Sequence, residues 1–357
     1  MRRLRATIML CAPLLLSDIP AAAQGLAGHE ATAVPPTTIL GFADINYVET
    51  ERRVDEGFVL GQLAGHVSTG LSERLTFFGE VSATARPDEY RIEVERLILR
   101  YDFSDQLKLS GGRYHNPVSY WNTAFHHGLW LQTSVSRPEM IKFGSRVLPV
   151  HFVGLQVEGG FPLSSLGLGY AGAVGNGRGD DISRGGDSGD INQNRALLAT
   201  VYSRPAHLFG LQVGAGAYLD KASADAVDVD EQIFSAHVAL TRERPEILGE
   251  YARIRHEPDG GGITTDTDAW YLQAAYRLPL PVDAFKPYAR VERIAVDDGD
   301  PLFAPFGLDY RGFLVGIRYD FASLAALKLE YRDERFADDE EREKSLWAQA
   351  SFAFGEH

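Results

Sequence analysis

From Ile39 onward the chain repeats one pattern: eight to twelve residues in which apolar side chains alternate with small or polar ones, followed by a break. In LTFFGEVSATA, Leu75, Phe77, Val81 and Ala83 share one face and Thr76, Glu80, Ser82 and Thr84 the other. In LKLEYR, Leu327, Leu329 and Tyr331 stand opposite Lys328, Glu330 and Arg332. A period of two is the signature of strands, and helical spacing accounts for neither segment. Sixteen such segments are predicted, starting near Ile39, Phe58, Leu75, Arg91, Leu107, His151, Leu166, Ala196, Leu208, Ile233, Ile247, Trp270, Pro287, Arg311, Leu327 and Leu346.

The breaks are asymmetric. After even-numbered segments they are tight or marked by proline, as at Ser72-Glu73, Ser104-Asp105, Phe161-Pro162, Arg204-Pro205, Arg244-Pro245, Leu278 to Phe285 and Ala322 to Ala325. After several odd-numbered segments they are long, as at 175–194 and 297–309. An even strand number with short turns on one side and long loops on the other predicts an all-β fold, a transmembrane antiparallel β-barrel. A soluble sandwich also alternates, but sixteen strands would more often split into two domains, and no linker divides this chain. Ring pairs near strand ends (Tyr101 and Phe103, Tyr319 and Phe321, Phe352 and Phe354) suit the aromatic girdles of a barrel.

The ends set the compartment. Residues 1–23 combine Arg2, Arg3 and Arg5, an apolar run from Ile8 to Leu16 and the small residues Ala21 to Ala23, the layout of a cleaved secretory signal. Residues 24–38 are expected to be a short periplasmic segment and 39–354 the barrel. Cleavage removes the single cysteine, so the mature chain has no disulfide or thiolate site. It also removes three arginines and one aspartate, taking the formal charge from −14 to about −16 and arguing against nucleic acid as a partner. No stretch after the leader is apolar enough for a spanning helix, whereas barrel strands leave hydropathy near neutral.

The segment EVERLILRYDFSDQLKLSGGRYHNPVSYWN, residues 93–122, resembles the central strands of the Gram-negative outer-membrane porins, in the superfamily that includes the phosphate-selective porins: an acidic-arginine strand, an FSD turn and a GRY strand running into a long loop. The final SLWAQASFAF resembles the terminal strand by which the barrel assembly machinery recognises its clients, although Gly355, Glu356 and His357 follow the last ring. The resemblance implies a homotrimer of sixteen-stranded barrels among outer-membrane lipid and lipopolysaccharide, passing small hydrophilic solutes without a cofactor. It also implies that the third outward loop, 115–148, folds into the channel and narrows it.

That loop holds most of the candidate chemistry. Arg113, Tyr114, His115, Tyr120, Trp121, His126, His127, Trp130, Arg137 and Lys142 are expected at the constriction. The wall positions assigned inward are Arg96, Arg100, Lys108, Arg290, Arg318, Lys328 and Arg332, with Asp44, Glu80, Asp102, Glu158, Glu292, Asp320 and Glu330. Such rows are expected to satisfy one another across strands. Basic residues on the loop leave room for an anion preference. Asp180, Asp181, Asp187, Asp190, Asp297, Asp298, Asp300, Asp338 to Glu341 and Glu343 are expected to make an acidic mouth.

Three other readings stand beside the channel. A metal site could draw on His115, His126, His127 and His151, but no carboxylate or cysteine lies at ligand spacing, so no metal is expected. GNGRGDD at 175–181 resembles the Asn-Gly-Arg stretch of the outer-membrane phospholipase, without the preceding His and Ser that a hydrolase needs. The third is a structural or adhesive barrel plugged by its own loop, in which Tyr120, Trp121, Phe125 and Trp130 are packing.

Overall fold

The computed structural model describes residues 36–356 apart from 52–55, 87–88, 126, 162–163, 180, 185, 188, 191–193, 225–226 and 338–341. The expected signal segment, most of 24–38, His126, Asp180 and Asp338 to Glu341 therefore lie outside the described residues. The strands are β1 (Thr37–Thr50), β2 (Gly57–Gly70), β3 (Leu75–Ala85), β4 (Tyr90–Ser104) and β5 (Leu107–His115). They continue as β6 (His151–Phe161), β7 (Leu168–Asn176), β8 (Arg195–Ser203), β9 (Leu211–Ala224) and β10 (Val227–Thr241). The last six are β11 (Glu246–Pro258), β12 (Thr265–Ala275), β13 (Phe285–Ala295), β14 (Tyr310–Ala322), β15 (Ala325–Phe336) and β16 (Glu343–Glu356). Each pairs antiparallel with its sequence neighbours, and β1 pairs with β16 from Ile39↔Glu356 to Thr50↔Ser345. The barrel is closed, so no strand edge is left with unpaired backbone groups.

All sixteen predicted strands are present. Two begin well before the expected point, β10 at Val227 rather than Ile233 and β12 at Thr265 rather than Trp270. Their first residues, VDVDEQ and TDTDA, carry too many acids to read as membrane strand. Backbone pairing continues past the apolar stretch, as for β10 with β11 from Val229↔Pro258.

The alternation sorts side chains by face. On β15, Leu327, Leu329 and Tyr331 point outward and are exposed, while Ala326, Lys328 and Glu330 point inward and are buried. Outward Leu97, Leu99, Leu109, Leu155, Leu197, Val201 and Leu272 extend the apolar exterior around the barrel. The predicted ring pairs edge it: Tyr101 lies 4.7 Å from Phe103, Tyr319 6.4 Å from Phe321, and Phe352 6.5 Å from Phe354. An uninterrupted apolar exterior bounded by rings is what a lipid bilayer selects.

The interior is unlike that of a simple water-filled tube. Leu198, Tyr218, Ile233, Leu248, Ile254, Ala269 and Tyr271, all lumen-facing, join one buried apolar cluster with Val118, Trp121, Phe125, Ile141 and Leu148 of the 116–150 loop. Ile182 of the loop after β7 and Leu302 and Phe303 of the loop after β13 complete it. Three outward loops thus bend inward and pack against one side of the wall.

Candidate functional site

The long loop is pinned at its neck. Asn116 N–H donates to Val150 O at 2.9 Å, and Asn122 Nδ2 donates to Val150 O at 2.6 Å and Asn116 O at 3.1 Å. A short helix, α1 (Tyr120–Ala124), follows, and its N-cap Ser119 Oγ accepts from Asn122 N at 3.2 Å. The remaining orphan donors go to the wall: Glu250 on β11 accepts from Trp121 N and Tyr120 N, both at 2.7 Å, and from Tyr271 Oη at 2.7 Å. A buried carboxylate at a helix start satisfies donors that would otherwise be lost from water.

Beyond α1 the chain turns at Gly128 (φ 90°), where a Cβ would meet the Phe42 ring at 2.8 Å, then crosses the lumen in front of β13 to β15. Lys328 Nζ donates to Leu129 O and Ser134 O, and Arg318 Nη1 to Trp130 O and Gln132 O. Arg290 reaches Ser134 Oγ, Ser136 O and Arg137 O. Glu330 accepts from Val135 N at 2.9 Å, Ser136 Oγ at 2.7 Å and Tyr288 Oη at 2.9 Å, and Glu292 accepts from Glu139 N at 2.6 Å. Wall charges do pair here, though along a strand rather than across strands: Arg290 with Glu292 at 2.7 Å, Arg318 with Asp320 at 2.8 Å and Arg332 with Glu330 at 2.8 Å. The partners of Lys328, Arg318, Arg290, Glu330 and Glu292 also include the backbone of the loop, whose irregular path leaves N–H and C=O groups that need buried counterparts.

A second cluster ties the far side of the loop to β2 through β6. Glu80 on β3 lies 2.6 Å from His66 Nε2, 3.4 Å from His115 Nε2 and 2.5 Å from Arg96 Nε. Glu95 on β4 takes His151 Nε2 at 2.9 Å and His127 Nε2 at 3.2 Å, while His127 Nδ1 meets Gln62 Oε1 at 2.5 Å. Single ligand atoms of Glu80, His115 and His127 lie within 4.8 Å of one another, the spacing of metal ligands among the described residues. The premise that no carboxylate sits near the histidines is thus corrected, because Glu80 arrives from a strand 35 positions earlier. Arg96 already places a cation on the Glu80 carboxylate, which opposes a metal ion there. The geometry is that of a charge-balanced clasp between loop and wall.

Two cavities lie along the wall, the first of them also lined by the loop. One, of about 260 Å³, lies against β13 to β16 and is lined by Arg137, Glu139, Lys142, Arg290, Arg332 and Trp347 among others. The other, of about 150 Å³, lies against β3 to β6 and is lined by Phe78, Arg96, Arg100, Tyr114 and Glu158 among others. Charges pair along their walls: Arg100 with Asp102 at 2.7 Å, Lys108 with Asp102 at 3.8 Å, Arg332 with Glu330 at 2.8 Å, and Lys142 with Glu139. Burial raises the Glu139 carboxyl above the usual carboxylate range, with Lys142 opposing.

The closed antiparallel barrel is matched by solved structures. The anion-selective porin from Comamonas acidovorans aligns over 89% of this chain and 99% of its own, with 10% identity and a TM-score of 0.66. The chain has the porin fold. OmpF of Salmonella typhi, solved with daunomycin, aligns over 90% and 98% at 15% identity and a TM-score of 0.62. OmpT of Vibrio cholerae aligns over 91% and 99% at 15% identity and 0.61. No protein-family model and no curated protein matches the sequence.

Within this porin fold the candidate residues divide. Tyr114, His115, Trp121, His127, Trp130 and Arg137 are buried, Arg113 and Tyr120 are half-buried, and Lys142 faces open space. The expectation that rings line the passage is corrected for Trp121 and Trp130. Trp121 lies 5.0 Å from Phe125 and edge-on to Tyr271 at 5.7 Å, and Trp130 packs with Phe42 and Ala326. Large apolar rings gain more from packing against the wall than from facing water. Of the acidic mouth, Asp187 pairs with Arg113 at 2.7 Å and Asp190 with Arg195. Asp300 is not at the surface: it is buried, and accepts from His256 Nδ1 at 2.8 Å, Thr265 Oγ1 at 2.9 Å and Phe303 N at 2.8 Å. Burial would raise the Asp300 carboxyl, but these donors outweigh it and hold it below the carboxylate range. Glu246 on β11, which accepts from Thr133 Oγ1 of the loop at 3.1 Å, and Glu250, Glu95 and Gln62 were not anticipated. The signal for the first two was the lumen face of β11, where Leu248, Ala252 and Ile254 stand among the acids and require something to cover them.

Proposed function

We propose that this chain is a diffusion channel of the bacterial outer membrane, passing small hydrophilic solutes between the folded loop and the barrel wall. The observation that carries the reading is the strapped loop, held across the lumen by Glu250, Arg290, Arg318, Lys328 and Glu330 while a charged cavity remains beside it. Selectivity then comes from width and lining charge. The two cavities hold the cations Arg96, Arg100, Arg137, Lys142, Arg290 and Arg332 against the acids Glu139, Glu158, Glu292 and Glu334, which favours small anions. No chemical step is part of this reading. Arg178 of the Asn-Gly-Arg stretch is a buried strut on Glu231 and the carbonyls of Arg146 and Ile182.

Export with loss of residues 1–23, insertion by the barrel assembly machinery and assembly into a homotrimer belong to the same proposal, on the resemblance of the leader, the last strand and the 93–122 segment. The apolar cluster inside the lumen favours a second reading, a barrel plugged by its loops. Swelling of proteoliposomes in isotonic sugar or sodium phosphate tests the choice. Swelling supports the channel, and sealed vesicles containing folded barrel support the plug.

A further inference from the structure

We propose that the outer rim of β13, β14 and β15 binds the phosphate groups of an outer-leaflet glycolipid such as lipopolysaccharide through Arg293, Arg311 and Arg335. The three arginines are cross-strand partners, Arg293↔Arg311 and Arg311↔Arg335, all exposed on the barrel exterior. None of the three makes an ion pair or side-chain hydrogen bond among the described residues. Like charges directly opposite on paired strands repel, so a row of three needs an anion to offset it. Elsewhere at this rim exterior arginines are neutralised within the fold: Arg253 lies 3.2 Å from Asp268, and Arg255 lies 3.0 Å from Asp266.

The height of the row identifies the ligand. On the same outer face the paired rows beneath it are Val291, Phe313 and Asp333, then Ala289, Val315 and Tyr331, then Pro287, Ile317 and Leu329, and finally Phe285, Tyr319 and Leu327. From Phe285 to Arg293 is eight residues, about 27 Å along the strand. With a strand tilt of about 40° that is about 21 Å of height, close to the roughly 25 Å apolar band of such barrels. The guanidiniums therefore stand at the headgroup level directly above an acyl-chain surface. Guanidinium forks match phosphate oxygens in bidentate pairs. Asp333, the acid in the next row, is engaged by Arg342 at 3.0 Å.

The inference rests on outer-membrane placement, and the test separates the two. Folded, detergent-solubilised barrel is titrated against labelled lipopolysaccharide. The Arg293→Gln/Arg311→Gln/Arg335→Gln variant should bind at least about tenfold more weakly, as should wild type with lipopolysaccharide stripped of its phosphates. The Arg253→Gln/Arg255→Gln variant should stay within about twofold, because those charges already have partners. Equal binding of the intact and the stripped glycolipid overturns the proposal even if the triple variant does not fold. Displacement by millimolar sodium phosphate marks a free-phosphate site and overturns the lipid assignment. A barrel that never inserts into vesicles refutes the membrane reading instead.

Discussion

Glu250 on β11 accepts the backbone N–H of Trp121 at 2.7 Å, so a carboxylate on the barrel wall caps the helix that begins the inward loop. Replacing it with alanine strands the N–H groups of Tyr120 and Trp121 and the Tyr271 hydroxyl in a dry site. That costs about 1 to 3 kcal/mol for each donor left without a partner. The barrel should still form, because its ladders are untouched. The loop should become protease-sensitive near 116–124 and single-channel conductance should rise, both measurable on the Glu250→Ala variant. Unchanged proteolysis would show that the cap does not hold the loop.

Neighbouring positions on β15 should respond differently to the same substitution. Leu329→Arg puts a charge on the lipid face and should cost about 2 to 4 kcal/mol if it lies near the midplane, read as a lower refolding yield in lipid vesicles. Read as a pore wall, Glu330 would accept arginine almost neutrally. Bound to Val135, Ser136 and Tyr288, it will not: Glu330→Arg should leave the barrel intact but expel the 129–137 stretch. Equal folding defects in the two variants would contradict this division of faces.

Trp121 is fully buried between Phe125 and Tyr271. Trp121→Ala should open a cavity costing about 3 to 5 kcal/mol of packing, and the loss falls on the docked loop. Hydrogen exchange of the amides in 116–125 should accelerate while barrel amides stay protected. Faster exchange throughout the barrel would instead make Trp121 part of the global core.

Asp300 gives an acid-dependent tie. Its folded pKa is depressed, so its contribution is present above its ordinary value of 3.8 and is lost as pH falls through the lower folded value. The loop at 296–309 should stay protected from proteolysis at pH 5 and loosen only at lower pH, below about 4. Asp300→Ala should show the loosened pattern at neutral pH. If that variant is as protected as wild type, the contacts to His256, Thr265 and Phe303 do not anchor the loop.

How much was legible follows from what a period of two can encode. The strand count, the facing of Leu329 against Glu330 and the ring pairs at Tyr101 and Tyr319 are local properties and were all readable. The clasp of Glu80 with His115 and His127 joins β3, β5 and the loop, and sequence spacing carries no trace of a meeting between strands that are not neighbours in the chain. The same holds for Arg290, Arg318 and Lys328. Alternation marks them as inward, but whether an inward arginine meets water or a carbonyl depends on where the loop folds. One clue was present: on β11 the lumen face sets the apolar Leu248, Ala252 and Ile254 among Glu246, Glu250 and His256, more apolar surface than a water-filled wall would choose.

The central claim is a loop-narrowed but open channel, and single-channel recording in planar bilayers under a salt gradient tests it most directly. The account predicts discrete open steps for wild type, a reversal potential on the anion side, and larger steps for Glu250→Ala. Folded protein that inserts without opening, with conductance appearing only when the loop is released, would contradict it and establish the barrel as plugged.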